Sequence, residues 1–352
     1  MKKTSALPQY SYSLPEGFIA REPASPRDSA KLLSYDSKTG RIADLVFRDL
    51  AETLPSGALL VINETRVVPA RVTLAKKTGG KVEILFYVNS WDGKTAVIEG
   101  ISDRKLSVGD RLFLDGKELC AVASQSENVF SFSLSISPAK LLSTLEEKGA
   151  MPIPKYIKGS PLSERDLKER YQTTFAKNPG SVAAPTASLH FTPELFERLA
   201  KRGIEVCRLT LHVGAGTFSP VTEREMSSGR LHRERFIVPR ATFDAIVRAK
   251  KEGRAVIPVG TTALRAIESI DLDQQATEDI ASSTDIFIRK PYAFRVADGL
   301  VTNFHVPESS LMCLVDALLE SKKAPHDILD LYRHAIHEKY RFFSFGDGML
   351  IT

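Results

Sequence analysis

Hydrophobic and polar positions mark out one stretch of the chain as rich in β-structure. Between residues 72 and 136, six short segments either alternate hydrophobic and polar residues or run as continuous β-forming residues. Turn sequences at 78–80, 92–93 and 115–116 separate several of these segments, and no helical periodicity lies between them. Six such strands in succession predict a small antiparallel β-barrel.

Helix and strand signals alternate elsewhere in the chain. Apolar runs at 57–62, 204–213 and 254–259 predict buried strands, and 285–288 is a candidate for a further one. Thr192 before Pro193 is typical of a helix start, and hydrophobic spacing predicts two more helices near the C-terminus. We therefore predict an α/β body, residues 1–71 and 140–352, with an inserted small antiparallel β-barrel domain, residues 72–139.

Composition excludes several classes of protein. The 352 residues are 43% hydrophobic and 26% charged, unlike a disordered chain, and the three cysteines lie too far apart for a disulfide scaffold. Lys and Arg (48) exceed Asp and Glu (43) by five, a mild excess compatible with a polyanionic partner. No apolar run approaches the roughly 20 residues of a membrane helix. We predict a cytoplasmic protein with no membrane contact.

The chain lacks the common catalytic sequence motifs. The chain contains no GxxxxGK[ST], GxSxG or HExxH sequence, and Gly214-Ala215-Gly216 lacks the third glycine of a dinucleotide fingerprint. The seven histidines show no metal-ligand spacing, so we predict no metal site.

Candidate chemistry lies in polar loops. Arg66 and Arg71 are fork-shaped donors for a carboxylate or phosphate, or else surface arginines at the barrel junction. Gly214 and Gly216 let the backbone approach a ligand, and His212 precedes them. For His212, ordinary anchoring of the loop is an equal alternative.

Three further loops are polar. His190 precedes a helix start, where a packed structural histidine is the more common outcome. Thr261 and Thr262 offer free amides at a helix N-terminus; Arg265 and Glu268, one turn apart on that helix, could simply form an ion pair. Asn303 and His305 could read the edge of a base or cap the next helix.

Several of these segments together resemble one family, the S-adenosylmethionine:tRNA ribosyltransferase-isomerases of queuosine biosynthesis. The matching segments occur in the family's order across residues 57–351: NETRVVPAR, YQTTFAKNPGSVAAPTASLHFT, LTLHVGAGTFSPV, VGTTALRAIES, TDIFI, LVTNFHVPESSL and YRFFSFGDGMLI. Seven long segments in order are highly specific. The resemblance also implies an α/β body with an inserted β-barrel.

The resemblance implies an unusual reaction. The ribosyl part of S-adenosylmethionine would be transferred and isomerised onto 7-aminomethyl-7-deazaguanine at the wobble position of a tRNA, giving epoxyqueuosine-tRNA, adenine and methionine. S-adenosylmethionine would be a consumed cosubstrate, and no other cofactor is implied. A conventional S-adenosylmethionine-dependent tRNA methyltransferase and a non-catalytic RNA-binding protein are the alternatives.

This reaction assigns expected roles. A base must remove a proton from the ribose 5′-carbon and an acid must assist the departure of adenine, for which we expect His212 and His305, with His190 as a weaker candidate. Arg66, Arg71 and Arg265 are expected to bind the methionine carboxylate or a tRNA phosphate. Glu268 or Asp285 would balance the sulfonium charge. The residues expected to line the cosubstrate pocket are Ser181, Thr186, Gly214, Gly216, Thr217, Thr261 and Thr262.

Binding of tRNA should be driven by phosphate contacts. Two basic clusters are candidates, each with a solvated charged face as the alternative: Lys155, Lys158, Arg165, Lys168 and Arg170 form one, and Arg224, Arg230, Arg233, Arg235 and Arg240 form the other. Asn303 would contact the base, and Phe304 or Tyr292 would stack on it. No stable protein partner is implied, and we expect a monomer.

Overall fold

The structure is a computed structural model that describes residues 6–214, 216 and 221–352. Its strands are β1 (Lys31–Tyr35), β2 (Ile42–Val46), β3 (Leu59–Asn63), β4 (Thr65–Val67), β5 (Arg71–Lys76), β6 (Lys81–Phe86), β7 (Val97–Ser102), β8 (Arg111–Leu114), β9 (Lys117–Ser126), β10 (Val129–Leu134), β11 (Asn178–Ser181), β12 (Glu205–Leu211), β13 (Arg230–Val238), β14 (Val256–Pro258), β15 (Ile280–Ile286), β16 (Leu300–Asn303) and β17 (Gly348–Ile351). Its α-helices are α1 (Leu50–Thr53), α2 (Pro138–Lys148), α3 (Glu164–Arg170), α4 (Pro193–Lys201), α5 (Glu223–Ser228), α6 (Arg240–Lys251), α7 (Thr261–Glu268), α8 (Ser310–Ser321) and α9 (Ile328–His337).

Strands β5 to β10 close into an antiparallel barrel in the order β10-β7-β6-β5-β8-β9. Alternate residues of each strand point inward, as period-two patterning requires, and fill the barrel with a core that includes Val72, Ile84, Phe86 and Phe132. All six segments recognised as strands in the sequence are strands of this barrel.

A five-stranded sheet forms the centre of the body, in the order β14-β3-β12-β13-β15. Strands β14, β3 and β12 are parallel, whereas β13 and β15 extend the sheet antiparallel. Both faces of β3 are buried: Leu59 and Val61 belong to one hydrophobic cluster, and Leu60 and Ile62 to another. A strand covered on both faces needs a continuous apolar run, which explains why its sequence does not alternate.

A second sheet of four strands runs in the order β16-β17-β1-β2 and joins the first through a bridge between Val259 and Val301. Helices α6 to α9 pack against the sheets in the largest hydrophobic cluster. Helix α4 begins as its sequence indicates, with Thr192 Oγ1 accepting a hydrogen bond from Leu195 N at 3.2 Å. The fold class predicted from the sequence, an α/β body with a small antiparallel barrel, is confirmed.

One strand differs in position from its prediction. The apolar segment 285–288 suggested a strand, but β15 spans Ile280–Ile286 and overlaps it by only two residues. β15 is the edge strand of the sheet and is hydrogen-bonded to β13 on one side. Three of its successive residues, 281–283, are exposed. An edge strand needs no apolar pattern, and hydrophobicity therefore misplaced it.

Candidate functional site

Beside the polar loops, a cleft with a volume of about 550 Å³ lies between the barrel and the body. The barrel contributes Arg71, Tyr87 and Glu99, and the body contributes Gly214 and Gly216. Segment 152–156, which follows the barrel, lies along the cleft as well. We call this opening the interdomain cleft.

Two small cavities continue from the interdomain cleft into the body. The first, the arginine cavity, has a volume of about 20 Å³ and shares Gly214, Gly216 and His232 with the cleft. The second, the threonine cavity, measures about 30 Å³ and meets the arginine cavity at Leu311, the second residue of α8. The three spaces therefore follow one another along the Gly214 loop and the start of α8.

A buried ion pair lies in the wall of the arginine cavity. Arg265 Nη1, on α7, donates to Glu234 Oε2, on β13, and the two side chains are 4% and 3% exposed. Gly214 N donates to Glu234 Oε1 at 2.8 Å, so the same carboxylate holds both the guanidinium and the loop. Arg265 therefore forms its ion pair with Glu234. It does not pair with Glu268, which the spacing of one helical turn offered as the simpler explanation of these two charges.

The threonine cavity lies at the N-terminus of α7. Gly260, which caps the helix, has φ +88°, a left-handed conformation that glycine adopts without strain. Thr261 and Thr262 follow it and line the cavity, where the first-turn amides and the helix dipole favour polar or anionic groups. Thr186 and Asn303 also line it, with Thr186 Oγ1 donating to Asn303 Oδ1 at 2.8 Å.

His305 lines the threonine cavity and is held by Thr302. Its Nε2 lies 2.8 Å from Thr302 Oγ1, and its backbone N–H donates to the Tyr332 hydroxyl at 2.6 Å. Burial lowers the pKa of His305 to about 3, because the interior disfavours the charged imidazolium. At neutral pH this imidazole is uncharged.

His212 lies behind the Gly214 loop and is not among the residues that line these cavities. Its Nδ1 is 3.0 Å from Thr65 Oγ1, which is 2.7 Å from Ser181 Oγ. Ser181 Oγ in turn accepts a hydrogen bond from Val213 N at 2.8 Å. Burial, with a smaller contribution from the charge of Arg235, lowers the pKa of His212 to about 4. Ser181 thus anchors the loop, whereas the sequence suggested that it would line the pocket.

Two predicted site residues lie in the core instead. His190 is 4% exposed, its ring packs on Phe47 with centroids 4.6 Å apart, and burial lowers its pKa to about 4. Phe304 is fully buried against the rings of Tyr332, Tyr340 and Phe342. The structure corrects both expectations: neither ring is placed to reach a substrate, because each is enclosed by hydrophobic packing.

The two carboxylates expected near a sulfonium also lie elsewhere. Glu268, 1% exposed, accepts backbone N–H groups from Arg295, Val296 and Ala297 at 2.9–3.0 Å and so anchors that loop. Asp285 pairs with Arg230 at 3.4 Å on the surface. Neither arrangement is visible in the sequence, because the partners of both carboxylates are distant along the chain.

The remaining predicted residues are dispersed. Arg71 lines the interdomain cleft and donates to Ile153 O at 3.2 Å, whereas Arg66 pairs with Glu146 at 2.6 Å and is not part of the cleft wall. Tyr292 lines a separate cavity of about 760 Å³, and its hydroxyl donates to Glu268 Oε2 at 3.3 Å. Thr217 lies outside the described residues.

The residues of the two basic clusters predicted to bind tRNA are also dispersed over the structure. Only Lys155 and Arg233 of their ten residues line the interdomain cleft, and both are exposed. Others have acidic partners, as Arg170 has in Glu22 and Arg240 in Asp244. Each cluster therefore contributes one positively charged residue to the cleft, which Arg71 and Glu99 also line.

Sequence reasoning missed Glu234 and Asn89. Glu234 occupies an inward position of β13, two residues before buried Phe236, and a charge at such a position is a signal that alternation alone reveals. Asn89, 6% exposed, follows β6 and lines the cleft, where a Cβ on Gly214 would lie 2.9 Å from its Nδ2. No local signal marks Asn89.

The described part of the chain contains neither a cluster of metal-ligating side chains nor a membrane-spanning helix. Within residues 6–214, 216 and 221–352, no three His, Cys, Asp or Glu side chains come together as a candidate metal site. In those same residues no helix is long and apolar enough to cross a membrane.

Comparison with known proteins decides the family. A family model described as queuosine biosynthesis protein matches residues 7–351. The chain belongs to this family. It is 44% identical over 352 residues to the S-adenosylmethionine:tRNA ribosyltransferase-isomerase of Thermus thermophilus, covering 98% of this chain and 99% of that protein. The family assignment made from the seven sequence segments is confirmed.

Further family relatives come from Thermotoga maritima. A protein of the same name is 42% identical over 348 residues, covering 97% of this chain and 98% of its own length. A crystal structure of an S-adenosylmethionine tRNA ribosyltransferase superposes with a TM-score of 0.55 at 30% identity, covering 98% of this chain and 100% of the other. The family relationship therefore extends over the barrel and the body together.

Proposed function

We propose that this protein transfers and isomerises the ribosyl moiety of S-adenosylmethionine onto 7-aminomethyl-7-deazaguanine at the wobble position of a tRNA. The products are epoxyqueuosine-tRNA, adenine and methionine. The observation that carries the proposal is the 44% identity, over nearly the full length of both chains, to a relative named as this transferase. Five of the seven recognised segments also contribute residues to one set of adjoining cavities, as a single active site requires.

The three spaces suit the two substrates of this reaction. The interdomain cleft is open and large enough for a flipped-out nucleotide, and it carries Lys155 and Arg233 toward the tRNA backbone. The arginine and threonine cavities are small and are lined by both polar and apolar side chains, and they would receive parts of S-adenosylmethionine. Gly214 and Gly216 lie where cleft and arginine cavity meet, so both substrates would approach each other at this loop.

The two histidines can each accept a proton at neutral pH, although their lowered pKa values make them weaker bases than an exposed imidazole. His212 and His305 are uncharged at neutral pH because burial lowers their pKa values to about 4 and about 3. An uncharged imidazole can take the proton from the ribose 5′-carbon, whereas it carries no excess proton to give to the leaving adenine. We therefore propose the base role for His305, which lines the threonine cavity, or for His212, which lies behind the Gly214 loop, and leave the acid to another donor, such as the substrate ammonium group.

The remaining sequence expectations stay proposals. S-adenosylmethionine would be consumed as cosubstrate, and the proposed chemistry calls for no other cofactor. A monomeric, cytoplasmic protein without a stable protein partner remains a prediction. Asn303, whose side chain lines the threonine cavity, is proposed to act near the cosubstrate, because its amide is bound to Thr186 rather than open to a base.

Isotope labelling tests the proposal. The protein is offered S-adenosylmethionine labelled in the ribose or in the methyl group, with tRNA that carries 7-aminomethyl-7-deazaguanine and with unmodified tRNA as control. Ribose label should enter only the modified tRNA, since guanine lacks the aminomethyl nucleophile, while methyl label should leave in free methionine. Methyl label in tRNA would establish a methyltransferase. Tight binding of tRNA without transfer of either label would establish an RNA-binding protein.

A further inference from the structure

The guanidinium of Arg265 has one edge in use and one edge free. Nη1 donates to Glu234, but Nε and Nη2 have no hydrogen-bond partner among the described residues. Arg265 is 3% exposed, so these two donors are shielded from bulk water. Buried N–H groups without acceptors are costly, and such groups in a native structure indicate a missing partner.

The chemistry of the missing partner follows from the geometry of the edge. Nε–H and the neighbouring Nη2–H point in the same direction and form a fork that matches the two oxygens of a carboxylate. Glu234 holds the other edge and is itself held by Gly214 N, so the fork is fixed in place before any ligand arrives. Such a fixed fork binds a planar anion with little loss of side-chain entropy.

The size of the arginine cavity distinguishes a carboxylate from a phosphate. A space of about 20 Å³ admits a water molecule or the tip of a ligand. A phosphodiester of tRNA carries a nucleoside on each side and would have to bring these into the same space.

We infer that the free Nε/Nη2 edge of Arg265 is the binding site for the carboxylate of the methionine part of S-adenosylmethionine. This inference rests on the proposed function and specifies which part of the cosubstrate enters the arginine cavity. Helix α7 would then contact S-adenosylmethionine at two places. Its N-terminus lines the threonine cavity, and Arg265, one turn later, lines the arginine cavity. Arg66 pairs with Glu146, and Arg71, whose Nε also lacks a partner among the described residues, lies in the wall of the interdomain cleft rather than in the arginine cavity.

Binding measurements on the unaltered protein provide the first test. Isothermal titration compares S-adenosylmethionine with decarboxylated S-adenosylmethionine, which keeps the sulfonium, ribose and adenine. We expect the decarboxylated compound to bind about 10- to 100-fold more weakly, the scale of one or two hydrogen bonds to a charged group. Equal affinities would overturn the inference even if ribosyl transfer is intact. Absence of both binding and ribosyl transfer would instead contradict the proposed function.

Variants provide the second test. Arg265→Lys keeps the positive charge but removes the fork, and should weaken S-adenosylmethionine binding about 10-fold or more while leaving the affinities for decarboxylated S-adenosylmethionine and tRNA unchanged. Arg254→Lys, at an ion pair with Glu205 away from the cavities, is the matched control and should change none of the three. Weaker tRNA binding with unchanged S-adenosylmethionine binding would identify a phosphate site. Equal losses of affinity for S-adenosylmethionine and for decarboxylated S-adenosylmethionine would show that Arg265 only supports the fold.

Discussion

Thr65 Oγ1 lies 3.0 Å from His212 Nδ1, and this contact fixes the imidazole of the histidine proposed as base. Thr65 belongs to β4 and His212 follows β12, so two strands brought together by the fold determine the ring's orientation. The hydroxyl of Ser181 steadies Thr65 from its other side at 2.7 Å. The ring nitrogen that is left to accept a proton is therefore selected by a threonine 147 residues away.

Removing the Thr65 hydroxyl should slow turnover. We expect Thr65→Val to lower kcat about 10-fold with little change in KM, and His212→Ala to lower it about 100-fold or more, the scale of a lost acid–base group. Because Thr65 acts through His212, the double variant should be no slower than His212→Ala alone. Single-turnover kinetics of ribosyl transfer would measure this. Thr53→Val, which removes a hydroxyl bound to Asp49 O on α1, is the control. Additive losses would mean that Thr65 does not act through the histidine.

A methyl group at position 180 should displace the His212 ring. A Cβ on Gly180 would lie 2.7 Å from both Cε1 and Nδ1 of His212, closer than atoms pack. We expect Gly180→Ala to reduce kcat toward the level of His212→Ala while tRNA affinity is retained. Gly203→Ala introduces a side chain at φ +69° with nothing within 4 Å. It should cost about 1–2 kcal/mol of stability from backbone strain and leave kcat unchanged. Full activity of Gly180→Ala would show that the ring position is unimportant.

Buried histidines should make the protein sensitive to acid. Burial lowers the pKa of His190 to about 4, below the value near 6.5 of an unfolded chain. Between pH 6.5 and 4 the imidazole is protonated in the unfolded state but not in the folded state. The free energy of unfolding therefore falls as the pH decreases through this window, by up to about 1.4 kcal/mol per pH unit for this group. His190→Phe removes the titrating ring and should flatten the pH dependence of the unfolding free energy in that window. His337→Gln, at an exposed histidine, should not change it. Parallel profiles for all three proteins would contradict the prediction.

Charge removal in the interdomain cleft should alter the salt dependence of tRNA binding. We expect Lys155→Ala and Arg233→Ala each to reduce the slope of log affinity against log salt by about one, because each phosphate contact releases one counterion. Filter binding between about 50 and 200 mM salt would measure the slopes. Arg333→Ala removes one positive charge from α9, away from the cleft, and should leave the slope unchanged. Equal effects of all three substitutions would mean that tRNA binds by overall charge rather than at the cleft.

Glu268 should prove structural rather than a partner of the cosubstrate. Its carboxylate accepts three backbone N–H groups, and Glu268→Gln replaces one acceptor oxygen with a donor. We expect a loss of roughly 2–3 kcal/mol in unfolding free energy, the scale of hydrogen bonds to a charged group, with S-adenosylmethionine affinity unchanged. Urea unfolding and titration calorimetry test the two parts. Glu320→Gln on α8 is the control for loss of a negative charge. A large loss of S-adenosylmethionine affinity in a stable Glu268→Gln protein would restore the sulfonium role.

Local patterns in the sequence were enough to predict the fold class. Each barrel strand carries its own alternation, because alternate side chains of a strand face opposite sides whatever the partner strand is. The continuous apolar run of β3 and the cap of α4 at Thr192 are equally local, since burial on both faces and capping act within a few residues. The family could be identified for a related reason: its motifs are contiguous segments.

The site depended on tertiary structure. His212 and His190 look alike in the sequence, each a histidine in a loop of small residues, yet one is bound by Thr65 and the other is packed on Phe47. The partners of Arg265 and Glu268 lie 31 and 27–29 residues away, so neither could be read from their spacing of one helical turn. Hydrogen bonds and burial are set by distance in space, and only the folded chain determines which polar groups lack a partner and so await a ligand. Among the described residues, the free edge of Arg265 is one such group, and it lies beside the arginine cavity.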